Sequence, residues 1–134
     1  MRNKFRWSRC LICLLIFFVL IGCSSTKNRT KERAKERVIQ FIRLMSANQI
    51  EEVEKLLSRE LAENESKELF LDAYDDSQLK DTSIVVKVDA VVFPIEDDKN
   101  GGMVSITIRN EKLGFSKIAT LPIKFERGDW YIGE

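Results

Sequence analysis

Thr82 to Phe93 reads TSIVVKVDAVVF, and this stretch decides the fold, because here the apolar residues stop recurring every three to four positions and begin to alternate. Ile84, Val86, Val88, Ala90 and Val92 fall on one face, with Lys87 and Asp89 on the other, so the segment is predicted to be a half-buried strand ended by Pro94. Downstream the alternation continues. Met103–Asn110 places Val104, Ile106 and Ile108 inward. Phe115–Glu126 places Phe115, Ala119, Leu121, Ile123 and Phe125 on one face, with Pro122 opposite them as the mark of an edge or a bulge. The acidic and glycine-containing run from Glu96 to Gly102 and the segment Glu111–Gly114 supply the turns, and Arg127-Gly128-Asp129 closes a hairpin onto Trp130–Gly133.

Upstream the period is helical. Ala34, Val38, Phe41, Ile42 and Met45 form a 3.6-residue stripe, widened by Ile39 and Leu44, that predicts an amphipathic helix over Thr30–Ala47. Asn48, with Glu51 three residues later, has the spacing of a capping box for a second helix that turns Ile50, Val53, Leu56 and Leu57 inward. Ser58 or Asn64 restarts the chain, and a third helix is expected over about Glu65–Asp75, presenting Leu69, Phe70, Ala73 and Tyr74. Helices followed by an antiparallel meander define an α+β domain with about three helices packed on about four strands.

The remaining N-terminal residues read as an address. In MRNKFRWSRCLICLLIFFVLIGC the bases Arg2, Lys4, Arg6 and Arg9 precede twelve apolar residues, Cys10–Ile21, a signal-peptide pattern too short for a spanning helix of about 20 residues. Leu20-Ile21-Gly22-Cys23 resembles the lipobox of bacterial lipoproteins. That resemblance implies cleavage between Gly22 and Cys23, a diacylglycerol thioether on Cys23, and acylation, such as palmitate, of the new N-terminus. Two or three chains at about 0.8 kcal/mol per buried CH₂ hold where one is marginal. An ordinary signal peptide with a chance cysteine, or an uncleaved anchor, are the alternatives. The expected organisation is a signal peptide over 1–22, an acylated cysteine and tether over 23–29, and one domain over 30–134. Localisation follows as lipid-anchored outside the cytoplasm, on the cell membrane or the outer membrane.

Cleavage removes the pair Cys10 and Cys13, leaving Cys23 as the sole cysteine of the mature chain. With no histidine anywhere, Ser-His-Asp, Cys-His and His-ligated metal chemistry are excluded. The sequons at Asn28 and Asn64 are read as coincidences. Without the leader, 18 bases face 21 acids, a net charge of −3, and the asymmetry within it is large. Lys27–Arg43 holds seven bases and two acids, whereas Leu44–Glu134 holds eleven bases and nineteen acids. The basic segment beside the anchor is a candidate contact for anionic lipid, or a solvated helix face with local ion pairs. Nucleic acid is not an expected partner of so acidic a domain.

No catalytic or metal-ligating constellation emerges, and no cofactor is implied. Asp72, Asp75, Asp76 and Asp81, like Glu96, Asp97, Asp98 and Asn100, lack the spacing of a calcium loop. Arg127-Gly128-Asp129 matches an adhesion tripeptide but is first of all a tight turn. Tyr74 and Tyr131 are the only phenols. Val85, Val91 and Phe93 interrupt the polar face of the first strand and form the candidate partner patch, provided Phe93 is exposed.

Element order and the terminal Glu126–Ile132 hairpin resemble small lipoproteins with a cystatin-like or nuclear-transport-factor-two-like cone domain. That resemblance covers about Lys31–Glu134 and implies functions ranging from scaffolding to isomerisation. The expected function is a membrane-anchored envelope lipoprotein working as a non-catalytic binding or scaffold module. An immunity or exclusion lipoprotein and a small cone-fold isomerase stand as alternatives.

Overall fold

The computed structural model describes residues 28–81, 83–95 and 98–134. Its longest helix, α1 (Lys31–Ser46), starts where Thr30 accepts a hydrogen bond from the Arg33 N–H. Its stripe is Ala34, Val38, Phe41, Ile42 and Met45, all buried.

Asn48 does not cap the next helix. It adopts φ 57° just past the end of α1, where its N–H donates to the Met45 carbonyl and the Gln49 N–H to that of Leu44. This double bond pattern satisfies carbonyls the helix would leave bare, and asparagine tolerates the left-handed backbone it requires. The next helix, α2 (Ile50–Glu54), therefore follows Gln49 with no side-chain cap.

The expected third helix forms over a shorter span, α4 (Lys67–Asp72), preceded by a further short helix, α3 (Arg59–Glu63), and followed by a 3₁₀ turn over Ser77–Leu79. Ser58 caps α3 by accepting from the Leu61 N–H. The buried stripe on α4 is rotated from the expected one. Leu71 and Tyr74 are buried and Leu69 is 75% exposed, because the rings of Phe70 and Tyr74 close on Phe41 at 6.0 and 5.3 Å.

Strands β1 (Val85–Val92), β2 (Gly101–Asn110), β3 (Phe115–Glu126) and β4 (Asp129–Ile132) form one antiparallel sheet in the order β1-β2-β3-β4. The architecture is α+β, with the helices packed against a four-stranded open meander. The β2–β3 register runs without a break from Gly101↔Lys124 to Asn110↔Phe115. Alternation then puts Val104, Ile106, Ile108, Leu121 and Ile123 under α1, all at 0–1% exposure, so that face of the sheet is filled by packed side chains.

One expectation fails in β1. Val88 pairs with Ile106 but Ala90 pairs with Ser105, so Asp89 is an extra, bulged residue. A one-residue insertion inverts every later side chain. Val91 thus packs on the core, while Val92 is 56% exposed and Ala90 is also turned out.

Two devices complete the C-terminal end. The loop Arg127-Gly128, with φ of 51° and 75°, joins β3 to β4 as a two-residue hairpin turn with both central residues left-handed. The segment Leu56–Ser58 straps the outer edge of β4: the Ile132 N–H donates to the Leu56 carbonyl at 2.8 Å and the Ser58 N–H to the Ile132 carbonyl at 2.7 Å. Gly133 makes this closeness possible, since a Cβ there would lie 2.7 Å from Ser58 Oγ and its φ is 119°.

The left-handed residue at the end of α1 gives a direct check. Asn48→Gly should leave stability unchanged or slightly raised in urea unfolding, while Asn48→Val should lower it by about 1–2 kcal/mol.

Candidate functional site

The strongest polar constellation lies where α1 crosses the β3–β4 hairpin. Asp129, the acid of the Arg127-Gly128-Asp129 turn, points inward and is 8% exposed. Arg33 grips it with two bonds, Nε to Oδ1 at 3.0 Å and Nη2 to Oδ2 at 2.7 Å. Arg37 donates to the same carboxylate from the next turn of the helix, and the Trp130 N–H donates to Oδ1 at 2.9 Å. Burial by itself pushes this carboxyl up, but the bonds from Arg33, Trp130 and Arg37 outweigh it and hold it below the usual carboxylate range. The bond to Asp129 in turn raises the Arg33 guanidinium further.

This cluster disposes of the adhesion reading of the tripeptide, since its carboxylate is already enclosed by two guanidinium groups. It also divides the basic segment. Arg33 and Arg37 face the protein, and Lys35 pairs with Glu32 at 3.2 Å. Arg43 sits three turns along the helix from Arg33, about 15 Å away at 1.5 Å per residue, so the segment is not one membrane-facing patch.

Of the residues singled out by sequence, Gly22 and Cys23 lie outside the described residues, as do Lys27, Glu96 and Asp97. Val85, Val91 and Phe93 do not form one patch. Val85 is exposed, but Val91 packs inward after the Asp89 bulge and Phe93 is half-buried with its ring 4.8 Å from that of Trp130. The acids after α4 are used locally. Asp75 pairs with Lys80 at 2.7 Å, Asp76 caps the 3₁₀ turn by accepting from Gln78, and Asp81 accepts from the Ser83 N–H, which draws its carboxyl below the usual range. Among the described residues no group of three or more His, Cys, Asp or Glu side chains is arranged to hold a metal ion. Tyr74 is buried, which raises its phenol, and Lys117 Nζ lies 5.3 Å over its ring while donating to the Ala73 carbonyl.

A cleft that sequence reading misses opens beside this helical arm. It has a volume of about 370 Å³ and lies between Leu61, Leu69 and Phe70 on one side and Pro122 and Gly133 on the other, with Glu60 and Glu134 at its polar margin. Its walls come from segments some sixty residues apart, so no local motif announces it. The one available signal is the length mismatch between a twelve-residue β3 and a four-residue β4, which leaves part of β3 without a neighbour.

No protein-family model matches the chain, no curated protein matches it, and no solved structure matches it.

The ion cluster sets a pH signature. Asp129 contributes stability fully above the unfolded carboxylate value of about 3.9, and the contribution is lost as pH falls through the lower folded value. Asp129→Asn should cost about 2–3 kcal/mol at neutral pH by leaving two arginines unmatched, less than the 3–5 kcal/mol of a fully buried pair because Arg33 is partly exposed. Denaturant titrations of both proteins should converge as pH drops below about 4.

Proposed function

We propose that the chain is a lipid-anchored envelope protein, acylated at Cys23, whose α+β domain works as a binding or scaffold module and not as a catalyst. The observation that carries this reading is how the chain enters the domain. Asn28 Nδ2 donates to the Gly128 carbonyl at 3.2 Å, and the Arg29 guanidinium donates to the Lys99 carbonyl and lies 5.3 Å from the Phe125 ring centroid. The entering chain is therefore fastened to the hairpin end of the sheet. From Cys23 to Asn28 is five residues, a span of at most roughly 18 Å, so an acylated Cys23 would hold that end of the domain against the bilayer. The β2–β3 turn and the end of α1 would then face away from it.

Within this placement Lys31, Lys99 and Arg127, all exposed, share the tether end of the domain and are the candidates for anionic headgroups. The Lys27–Arg43 segment contributes only its first residues to that contact. No helix among the described residues is long and apolar enough to cross a membrane. The cystatin-like or nuclear-transport-factor-two-like resemblance is supported by one long helix lying across an antiparallel meander. The face that a ligand would occupy in an isomerase-like cone is filled by Val38, Phe41, Ile42 and Trp130, all at 0–1% exposure, which favours binding at the surface over chemistry in the interior.

A Cys23→Ala variant should lose incorporation of a labelled fatty acid and move from the membrane to the soluble fraction of fractionated cells. An intact, unlabelled wild-type chain starting at Met1 in mass spectrometry would overturn the anchoring. Crosslinking in intact cells then distinguishes a scaffold, joined to resident envelope proteins, from an immunity protein, joined only to an incoming toxin or element.

A further inference from the structure

Strand β3 is twelve residues long, but β4 pairs only with Ile123–Glu126. The backbone directions along β3 are fixed by two bonds. The Phe125 N–H donates to the Asn100 carbonyl on the β2 side at 2.7 Å, and the Pro122 carbonyl accepts from the Gly133 N–H on the β4 side at 2.9 Å. With a two-residue repeat and no bulge in the β2–β3 register, the N–H and C=O groups of Ser116, Ile118 and Thr120 all point away from β2. None of these has a hydrogen-bond partner among the described residues on that side. The three residues are exposed, Ile118 at 77%. Natural sheets ordinarily blunt such an edge with charge, proline or a bulge; here Pro122 blunts only the end next to β4, and an isoleucine stands in the middle of the free stretch.

We propose that this edge receives an extended peptide strand of a partner protein, basic and apolar in alternation, added antiparallel to β3 as a continuation of the line of β4. Because successive side chains of a strand alternate in direction, its basic side chains would turn toward the acidic helical arm while its apolar ones line up beside the exposed Ile118 on the opposite face of the sheet. Its charge follows from the arm beside the cleft: Arg59–Asp76 holds seven carboxylates and two bases, and with Asp75 paired to Lys80 and Glu60 to Lys124 five carboxylates remain against those two bases. One of those bases, Lys67, is already bonded to Glu54 at 3.1 Å. The same acids argue against a second copy of this chain, since edge-to-edge pairing would bring two acidic arms together. The free edge of β1 is a poorer receptor, because the Asp89 bulge breaks its repeat midway.

This inference rests on the binding-module reading but is independent of the lipid, so it is tested on the full chain in detergent micelles, where loss of acylation leaves peptide binding intact. The probe is a fluorescent hexapeptide, acetyl-Lys-Val-Lys-Leu-Lys-Val-amide, against the same peptide with Glu for Lys. The basic peptide should bind at least ~10-fold tighter than the acidic one, with slowed amide exchange at Ser116, Ile118 and Thr120. Ile118→Pro, which removes an edge N–H without touching the β2 ladder, should weaken binding by ~10-fold or more. The exposed pair Glu68→Lys and Asp72→Lys tests the charge should the proline variant fail to fold; it should weaken the basic peptide and strengthen the acidic one. Equal binding of the two peptides, unchanged binding by either variant, protection on β1 instead of β3, or sedimentation showing the chain pairing with itself through this edge would each overturn the proposal.

Discussion

A carboxylate held inside a small domain is tolerable only while its countercharges are in place, and Asp129 is the point at which this fold makes that commitment. The hairpin turn delivers it beneath α1, where Arg33 and Arg37, one helical turn apart, meet it from above. An apolar stripe alone would let the helix slide or roll on a sheet of interchangeable valines and isoleucines. Three charged groups with directional bonds fix both its rotation and its position along the strands, a specificity that hydrophobic burial, being non-directional, does not supply. Trp130, fully buried against Phe93 and Phe125, then fills the space beside the fixed helix.

The long periodic elements were legible in the sequence and the joints were not. The stripe of α1, the bounds of β3 and the turn at Arg127-Gly128 are dictated by residues within a few positions of one another. The bulge at Asp89 is set by how β1 meets Ser105 and Ile106, so alternation alone predicts the wrong face for Ala90 and Val91. Asn48 satisfies the rules for both an N-cap and a left-handed helix end, and the carbonyls of Leu44 and Met45 decide between them. In the arm from Arg59 to Asp72 the short helix α3 is not announced by periodicity, because Ser58, which caps it, is held by the Ile132 carbonyl of β4, and the buried face of α4 is set by Phe70 and Tyr74 meeting Phe41 of α1.

The surface of the candidate site was not legible in the sequence. Cys23 is a local motif, whereas the partner patch at Val85, Val91 and Phe93 presumes an unbroken alternation that the bulge interrupts. The basic N-terminal segment reads as a uniform charge run in one dimension, yet two of its arginines serve the protein interior. Conversely, the exposed edge of β3 is signalled in one dimension only by the mismatch between its length and that of β4, and the cleft beside it by nothing local.

The partners of Asp129 lie 96 and 92 residues before it. During synthesis the helix is therefore made early and its lock late. Until β4 emerges, the two guanidinium groups have no carboxylate to close on, and the strap at Leu56–Ser58 has no edge to cover. Long loops closed only at the last step make for slow, all-or-none acquisition of structure. A nascent chain of this design cannot close its buried ion cluster until nearly all of it has been made.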